Sequence, residues 1–304
     1  MTPPDDAPTR ASGATETPVQ SDAAGRKPRD EEIEFYGLTH RGKVRENNQD
    51  HFLVCSLKKH VDVHLTSLPQ VEQIAGRAER LAFLAMVADG VGSGPHGEEA
   101  SRFTAETVTR YVIESMHCYY TADATDDTAF TRALEEAAVR VHVDIAERAA
   151  SDATFRGMAT TLTLWISVWP RSYLLQVGDS RCYTLYEGVL RQISRDQTMA
   201  QELVDSGVMS RTEAYNTRWA NVLSSSIGGP QSAPVVTRIP QRWGAIGLLC
   251  TDGLTKHVSD ERIEERLRTM TTPKQACEAL VQDALDGGGG DNITVIVGRT
   301  VRRD

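Results

Sequence analysis

SYLLQVGDSRCYTLYEGVLRQIS, residues 172–194, contains three short runs rich in Val, Leu, Ile and Tyr, divided only by Gly178–Ser180 and by Glu187–Gly188. Connections this short leave no room for a helical crossover, so the spacing predicts strands folded back on one another as antiparallel hairpins. Similar runs occur at HFLVCSL (51–57), LAFLAMVA (81–88), TLTLWISVW (161–169), AIGLLC (245–250) and ITVIVG (293–298), with HFLVCSL read as the first of the strands. Helical periodicity is confined to other segments. Ala100, Phe103, Thr107, Tyr111 and Val112 share one face, as do Phe130, Leu134, Ala137, Val141 and Ile145. Thr272 and Pro273 open a further helix carrying Ala276, Leu280 and Ala284. Antiparallel strands with segregated helices predict an α+β layered domain.

With 304 residues, of which 40% are apolar and 25% charged, the chain can bury a sizeable core. Residues 1–30, rich in Pro, Ala, Thr and Asp, have the composition of a disordered tail, so the folded domain is expected over 31–304. A formal net charge of −9 argues against a phosphate-backbone binder, and no nucleic acid is expected as a partner. No apolar stretch approaches the roughly 20 residues of a membrane span, so no membrane insertion is expected. Five scattered cysteines without paired spacing signal neither a disulfide framework nor a zinc site, and a reducing cytoplasm fits them best.

Four carboxylates sit at strand ends. Asp89 and Asp252 follow apolar runs and precede glycines, whereas Asp50 and Asp291 stand just before runs begin. In an antiparallel sheet the end of one strand and the start of its neighbour share an edge, so the four can meet at one rim. Like charges brought together call for cations between them, and carboxylate ligands favour Mg²⁺ or Mn²⁺. Gly90, Gly253 and Gly290 would allow close backbone approach there. A single Asp-Gly after a strand is an ordinary turn, and Asp179 in VGDSR is read as such a turn residue, with Arg181 as its partner. Thr160 and Thr161 are read as packing and hydrogen-bonding residues, and His51, His96 and His257 are not assigned as ligands.

The ordered set RENNQD (45–50), VADGVGSG (87–94), GMATTLT (157–163), VGDSR (177–181), CTDG (250–253) and GGDNITVIV (289–297) resembles the protein phosphatase 2C family of metal-dependent Ser/Thr protein phosphatases, and more closely its bacterial branch. The resemblance implies an α-β-β-α sandwich of four layers, with two central antiparallel sheets and a centre of two Mn²⁺ or Mg²⁺ ions at one end. It implies that Asp89 bridges both ions, that the Gly90 carbonyl serves one, and that Asp252 and Asp291 serve the other. Asp50 would serve directly or through water, and Arg45 would hold the substrate phosphate. Such a centre activates water for attack on phosphorus, with no protein nucleophile. Phosphorylated proteins, with phosphoserine or phosphothreonine as substrate, and an opposing Ser/Thr kinase are the implied partners.

Two departures from the family stand out. Val91 occupies the place where eukaryotic relatives often carry a histidine acid, and Ala159 replaces the usual glycine of the Gly-Thr-Thr element, so no third ion is assigned. The segment from Gln197 to Gly229 corresponds to the bacterial flap and reads as short helices joined by polar turns. The alternatives are a pseudophosphatase that only binds partners and a hydrolase of small phosphoesters.

Overall fold

Apolar residues run almost unbroken through the strands because both faces of each sheet are covered. The computed structural model describes residues 26–60, 78–91, 96–121, 128–152 and 155–303. The chain begins with β1 (Ile33–His40), β2 (Asp50–Lys59) and β3 (Glu79–Val91), followed by helices α1 (His96–Thr121) and α2 (Thr128–Ser151). The centre of the chain holds β4 (Ala159–Thr160), β5 (Leu162–Val168), β6 (Arg171–Val177), β7 (Arg181–Tyr186) and β8 (Val189–Gln192). Short helices α3 (Met199–Asp205) and α4 (Arg211–Tyr215) precede β9 (Val235–Pro240) and β10 (Ile246–Cys250). The fold ends with α5 (Asp252–Thr255), α6 (Asp260–Arg268), α7 (Pro273–Asp286) and β11 (Ile293–Thr300).

One sheet runs β1-β11-β10-β7-β8 and the other β2-β3-β5-β6-β9, with β4 paired to the end of β3. Every strand pair is antiparallel. Side chains alternate between layers at a period of two. In β11, Val295 and Val297 meet the C-terminal helices, while Ile296 turns inward to the other sheet. In β6, Tyr173 and Leu175 pack with the core of α1 and α2, while Leu174 turns inward. The result is the expected four-layer α-β-β-α sandwich. The three expected helical faces are the buried ones, with Tyr111 partly buried at the edge of the first, and the Thr272 side chain caps α7 at the Gln275 amide. Among the described residues, no helix is long and apolar enough to cross a membrane.

One expected hairpin is absent. β5 pairs with β6 and β7 pairs with β8, but β6 and β7 lie in different sheets. Glu187 and Gly188 both have positive φ (52° and 77°), as a tight hairpin requires. Gly178–Ser180 instead carry the chain across the sandwich at one rim. Gly178 has φ 104°, and a Cβ there would lie 2.7 Å from Thr161 Cγ2, so the crossing leaves space only for glycine. β1 and β9 escaped the sequence reading because Gly37 interrupts one and Arg238 and Pro240 mark the other as loop-like. Both are edge strands, where such residues are tolerated.

On the near side of the boundary expected at residue 30, residues 26–30 form a strap bonded to β3 and to Glu32. Arg29 and Arg26 donate to the buried Glu32 carboxylate, Lys27 donates to the Arg80 carbonyl, and Arg80 in turn donates to the Pro28 carbonyl. Asp30 pairs with Arg80 at 2.6 Å and with Lys58 at 2.7 Å. The tail expected over residues 1–30 otherwise falls on residues 1–25, which lie outside the described residues. Because residues 1–25 hold few large apolar residues, removing them is expected to leave the melting temperature unchanged. Removing residues 1–30 should lower it by several degrees, because Glu32 and Arg80 lose their partners inside the protein. Thermal unfolding of the two truncations distinguishes these outcomes.

Candidate metal centre

The expected convergence of carboxylates begins with strand register. β2 starts where β3 ends, and the antiparallel pairing sets Asp50 directly opposite Asp89. Asp252 opens α5 after β10, and Asp291 immediately precedes Asn292 and β11, which is paired with β10. The acids therefore share the rim at which Gly178–Ser180 cross between sheets.

Asp50 is 4% exposed, and its Oδ2 accepts hydrogen bonds from Thr251 Oγ1 (2.9 Å) and Thr294 Oγ1 (2.7 Å). Thr294 Oγ1 also lies 2.8 Å from Thr39 Oγ1, to which Asn48 Nδ2 donates at 2.8 Å. The turn is held by Asn292, whose Oδ1 accepts from the Gln49 amide and whose Nδ2 donates to the Arg41 and Asn47 carbonyls, each at 2.9 Å. The Asn292 side chain thus fixes the backbone of RENNQD, while its backbone amide donates to the Asp291 carboxylate at 3.0 Å. Thr161 Oγ1 accepts from the Asp89 amide, and the Thr161 amide and Thr160 Oγ1 donate to its carbonyl. These threonines act on the Asp89 backbone, as packing and hydrogen-bonding residues would.

Close backbone approach is required at two of the glycines. A Cβ on Gly90 would lie 2.2 Å from the Gly97 carbonyl oxygen, and one on Gly253 would lie 1.8 Å from that of Asn292. His51 and His257 hold structural hydrogen bonds. His51 Nδ1 shares a 2.9 Å hydrogen bond with Ser101 Oγ, and His257 Nε2 accepts from the Gly290 amide at 3.0 Å.

Burial and mutual repulsion govern the charges. Burial pushes the Asp50 carboxyl up to about 7 despite the two threonine hydrogen bonds, and Asp252 and Asp291 add to the rise. Asp89 is raised well above the usual carboxylate range by burial and by the charges of Asp50 and Asp252. Asp291 goes the other way. Burial raises it, but hydrogen bonds from Arg45 and Lys256 outweigh that effect. Arg45 meets Asp291 through Nε (2.8 Å) and Nη2 (3.0 Å), and its own charged form is strengthened by that pairing.

Two residues were missed by sequence reasoning. Lys256 Nζ lies 2.6 Å from Asp252 Oδ2 and 3.0 Å from Asp291 Oδ2, an internal cation between two acids. Its spacing of four residues from Asp252 on a helical turn was a readable signal. Asp179 belongs to the same electrostatic cluster: burial, then the charges of Asp252 and Asp196, push it up to about 8. The expected Asp179–Arg181 pair does not form. Arg181 instead binds Asp196 through Nε (2.9 Å) and Nη2 (2.7 Å).

The donor set fits a divalent cation. Asp50 Oδ1 and Asp252 Oδ1 are buried without a hydrogen-bond donor among the described residues, an arrangement costly for a carboxylate unless a cation meets it. Among the described residues, no three acidic, histidine or cysteine side chains yet close around one ion-sized point. Lys256 draws Asp252 and Asp291 to itself, so an ion at those oxygens competes with its ammonium.

Residues 73–286 match the family described as Protein phosphatase 2C. The Mycobacterium tuberculosis serine/threonine protein phosphatase PstP is 34% identical over 224 residues, covering 73% of this chain and 41% of that protein. The chain thus spans about two fifths of the length of the first curated relatives it matches. The Listeria monocytogenes serine/threonine phosphatase stp is 29% identical over 267 residues, 88% of this chain and 94% of that protein. The crystal structure of M. tuberculosis PstP/Ppp superposes with a TM-score of 0.68 at 30% identity, covering 89% of this chain and 99% of that one. A structure of the PstP catalytic domain in complex with two manganese ions gives 0.66 at 29% identity, with the same coverage.

The shifted acids carry a pH signature. A carboxyl raised from about 4 when unfolded to about 7 when folded binds its proton in the folded state throughout that window, so ionisation progressively destabilises the fold. With chelator present, the melting temperature is expected to fall as pH rises from about 4 to about 7. Asp50→Asn should flatten that slope, and a wild-type curve rising over the window would contradict the assignment.

Proposed function

The chain belongs to the protein phosphatase 2C family, and from that premise we propose that it is a Mn²⁺- or Mg²⁺-dependent hydrolase of phosphoserine and phosphothreonine in proteins. The observation that carries this reading is the facing pair Asp50 and Asp89, beside Asp252 and Asp291, with an oxygen each of Asp50 and Asp252 lacking a donor. Asp50, Asp89, Asp252 and Asp291 would hold two ions, with the Gly90 carbonyl as a further ligand. When bound, the ions supply the Lewis acidity that activates water and offsets charge on the phosphoryl group.

The chain's own residues do the rest. Thr251 and Thr294 fix the rotamer of Asp50, leaving Oδ1 available as a ligand atom. Thr160 and Thr161 lock the backbone at Asp89, and Asn292 locks the turn that carries Arg45. Arg45 is 52% exposed and spends Nε and Nη2 on Asp291, which leaves Nη1 outside that pair. The guanidinium can therefore offer Nη1 to a phosphate while paired with Asp291, and its Nε and Nη2 as well once an ion takes the Asp291 oxygens, a geometry that a lysine lacks. Val91 gives the leaving oxygen no acid, and His51 and His257 are engaged elsewhere, so protonation of the leaving group falls to solvent. A partner-binding pseudophosphatase would not need these acids and Arg45 together.

The reaction supports phosphorylated proteins as substrates and a Ser/Thr kinase as the opposing activity, in a cytoplasmic setting. The flap segment stands beside the rim: Tyr215 on α4 donates to Asp196 and Gln201, and the amides and carbonyls of Thr160 and Ile227 bond reciprocally. The base of the flap thus touches the residue that holds the Asp89 carbonyl.

Hydrolysis of phosphoserine and phosphothreonine proteins is expected to stop in EDTA and to return with Mn²⁺ or Mg²⁺. Arg45→Ala should lower kcat/KM by about 1.5–3 kcal/mol and Arg45→Lys by less, with Mn²⁺ binding retained. Full turnover in EDTA, or an Arg45→Ala enzyme of normal efficiency, would overturn the reading.

A further inference from the structure

At the end of the sandwich away from the acids, the sheets separate around a cavity of about 540 Å³. It is lined by the first residues of β1 and β3 and by the last residues of β11, whereas the acids stand at the opposite ends of β3 and β11. Its size lies within the ~300–1,000 Å³ of small-molecule sites.

The floor is made by two glycines. Gly247 on β10 pairs directly with Gly298 on β11, and both line the cavity. Neither has positive φ, so what these positions use is the missing side chain. A Cβ on Gly298 would meet nothing closer than 3.7 Å, whereas one on Gly247 would come within 3.3 Å of the Trp165 ring. Glycine inside a strand weakens it and marks a place where something approaches the backbone. Phe83 and Trp165 wall the space from the opposite sheet.

The rim of this cavity is basic. Five of its lining residues are cationic (Lys27, Arg80, Arg191, Arg242 and Arg299), against the single carboxylate of Glu187. Lys27, Arg80 and Arg299 pair with Glu79, Asp30 and Glu34, respectively. Arg242 stacks on the Tyr186 ring at 4.7 Å, and neither it nor Arg191 has a carboxylate partner among the described residues. An apolar interior closed by guanidinium groups suits a molecule with an apolar body and one anionic head.

We propose that the inter-sheet cavity binds an amphipathic carboxylic acid, with its body on the Gly247–Gly298 floor beside Trp165 and Phe83 and its carboxylate held by Arg191 and Arg242. The site is independent of the metal rim and of the reading proposed for it.

The test uses the full chain with anilinonaphthalene sulfonate as a fluorescent probe and decanoate as competitor. The probe should bind with one saturable site per chain, and decanoate should displace it, with decanol about tenfold weaker because it lacks the charge. Gly298→Leu fills the floor and should abolish displaceable binding. Arg191→Glu combined with Arg242→Glu alters only exposed side chains and should weaken decanoate about tenfold, with the fold and Mn²⁺ binding retained. No saturable displacement by decanoate, equal affinity for decanol, or unaltered decanoate affinity in the double variant would each overturn the proposal. Because the double variant reports by itself, a Gly298→Leu chain that fails to fold does not protect it.

Discussion

Repulsion between Asp50 and Asp89 is the constraint around which the rim is built. Strand register sets the two directly opposite one another, and Asp252 and Asp291 add charge from the second sheet. Such an arrangement survives folding only if the acids hold protons or meet cations. The chain does both in part: burial raises Asp50 and Asp89, while Arg45 and Lys256 keep Asp291 ionised. The remaining need, expressed in the donorless oxygens of Asp50 and Asp252, is what a divalent ion would meet.

Neutral groups bear the task of holding this charge in place. Thr39 and Thr294 form a chain of hydroxyls ending on Asp50, Thr251 donates separately to the same carboxylate oxygen, and Asn292 ties the opening turn to β11. Neutral donors can fix a carboxylate's rotamer without neutralising it, which leaves its charge available to an ion. Lys256 and Arg45 are the exceptions, since the ammonium sits on Asp252 and Asp291 and the guanidinium on Asp291, and both must yield oxygen atoms to any metal that binds there.

Much of this was legible in the sequence because it rests on local pattern. Period-two runs placed the central strands, helical spacing placed the buried faces of α1, α2 and α7, and aspartates at strand ends marked the rim. What escaped depends on long-range topology. GDS reads as a hairpin turn, but nothing local reveals that β6 and β7 belong to different sheets, so Asp179 passed for a turn residue. Edge strands β1 and β9 escaped because their glycine, arginine and proline break the pattern that a central strand must keep. The glycine floor between β10 and β11 is likewise invisible until register sets Gly247 beside Gly298.

The two ends of the sandwich have opposite chemistry: acids gather where Gly178–Ser180 cross between the sheets, and arginines ring the cavity where the sheets part. β3 and β11 run from one end to the other, so the same strands supply acids to the rim and lining to the cavity. The central claim is that the acidic rim is a two-ion site. Calorimetric titration with Mn²⁺ at neutral pH, in two buffers of different protonation enthalpy, tests it most directly. The account predicts two saturable equivalents with proton release, and loss of binding in Asp89→Asn. No saturable binding, or the same two equivalents in Asp89→Asn, would contradict it.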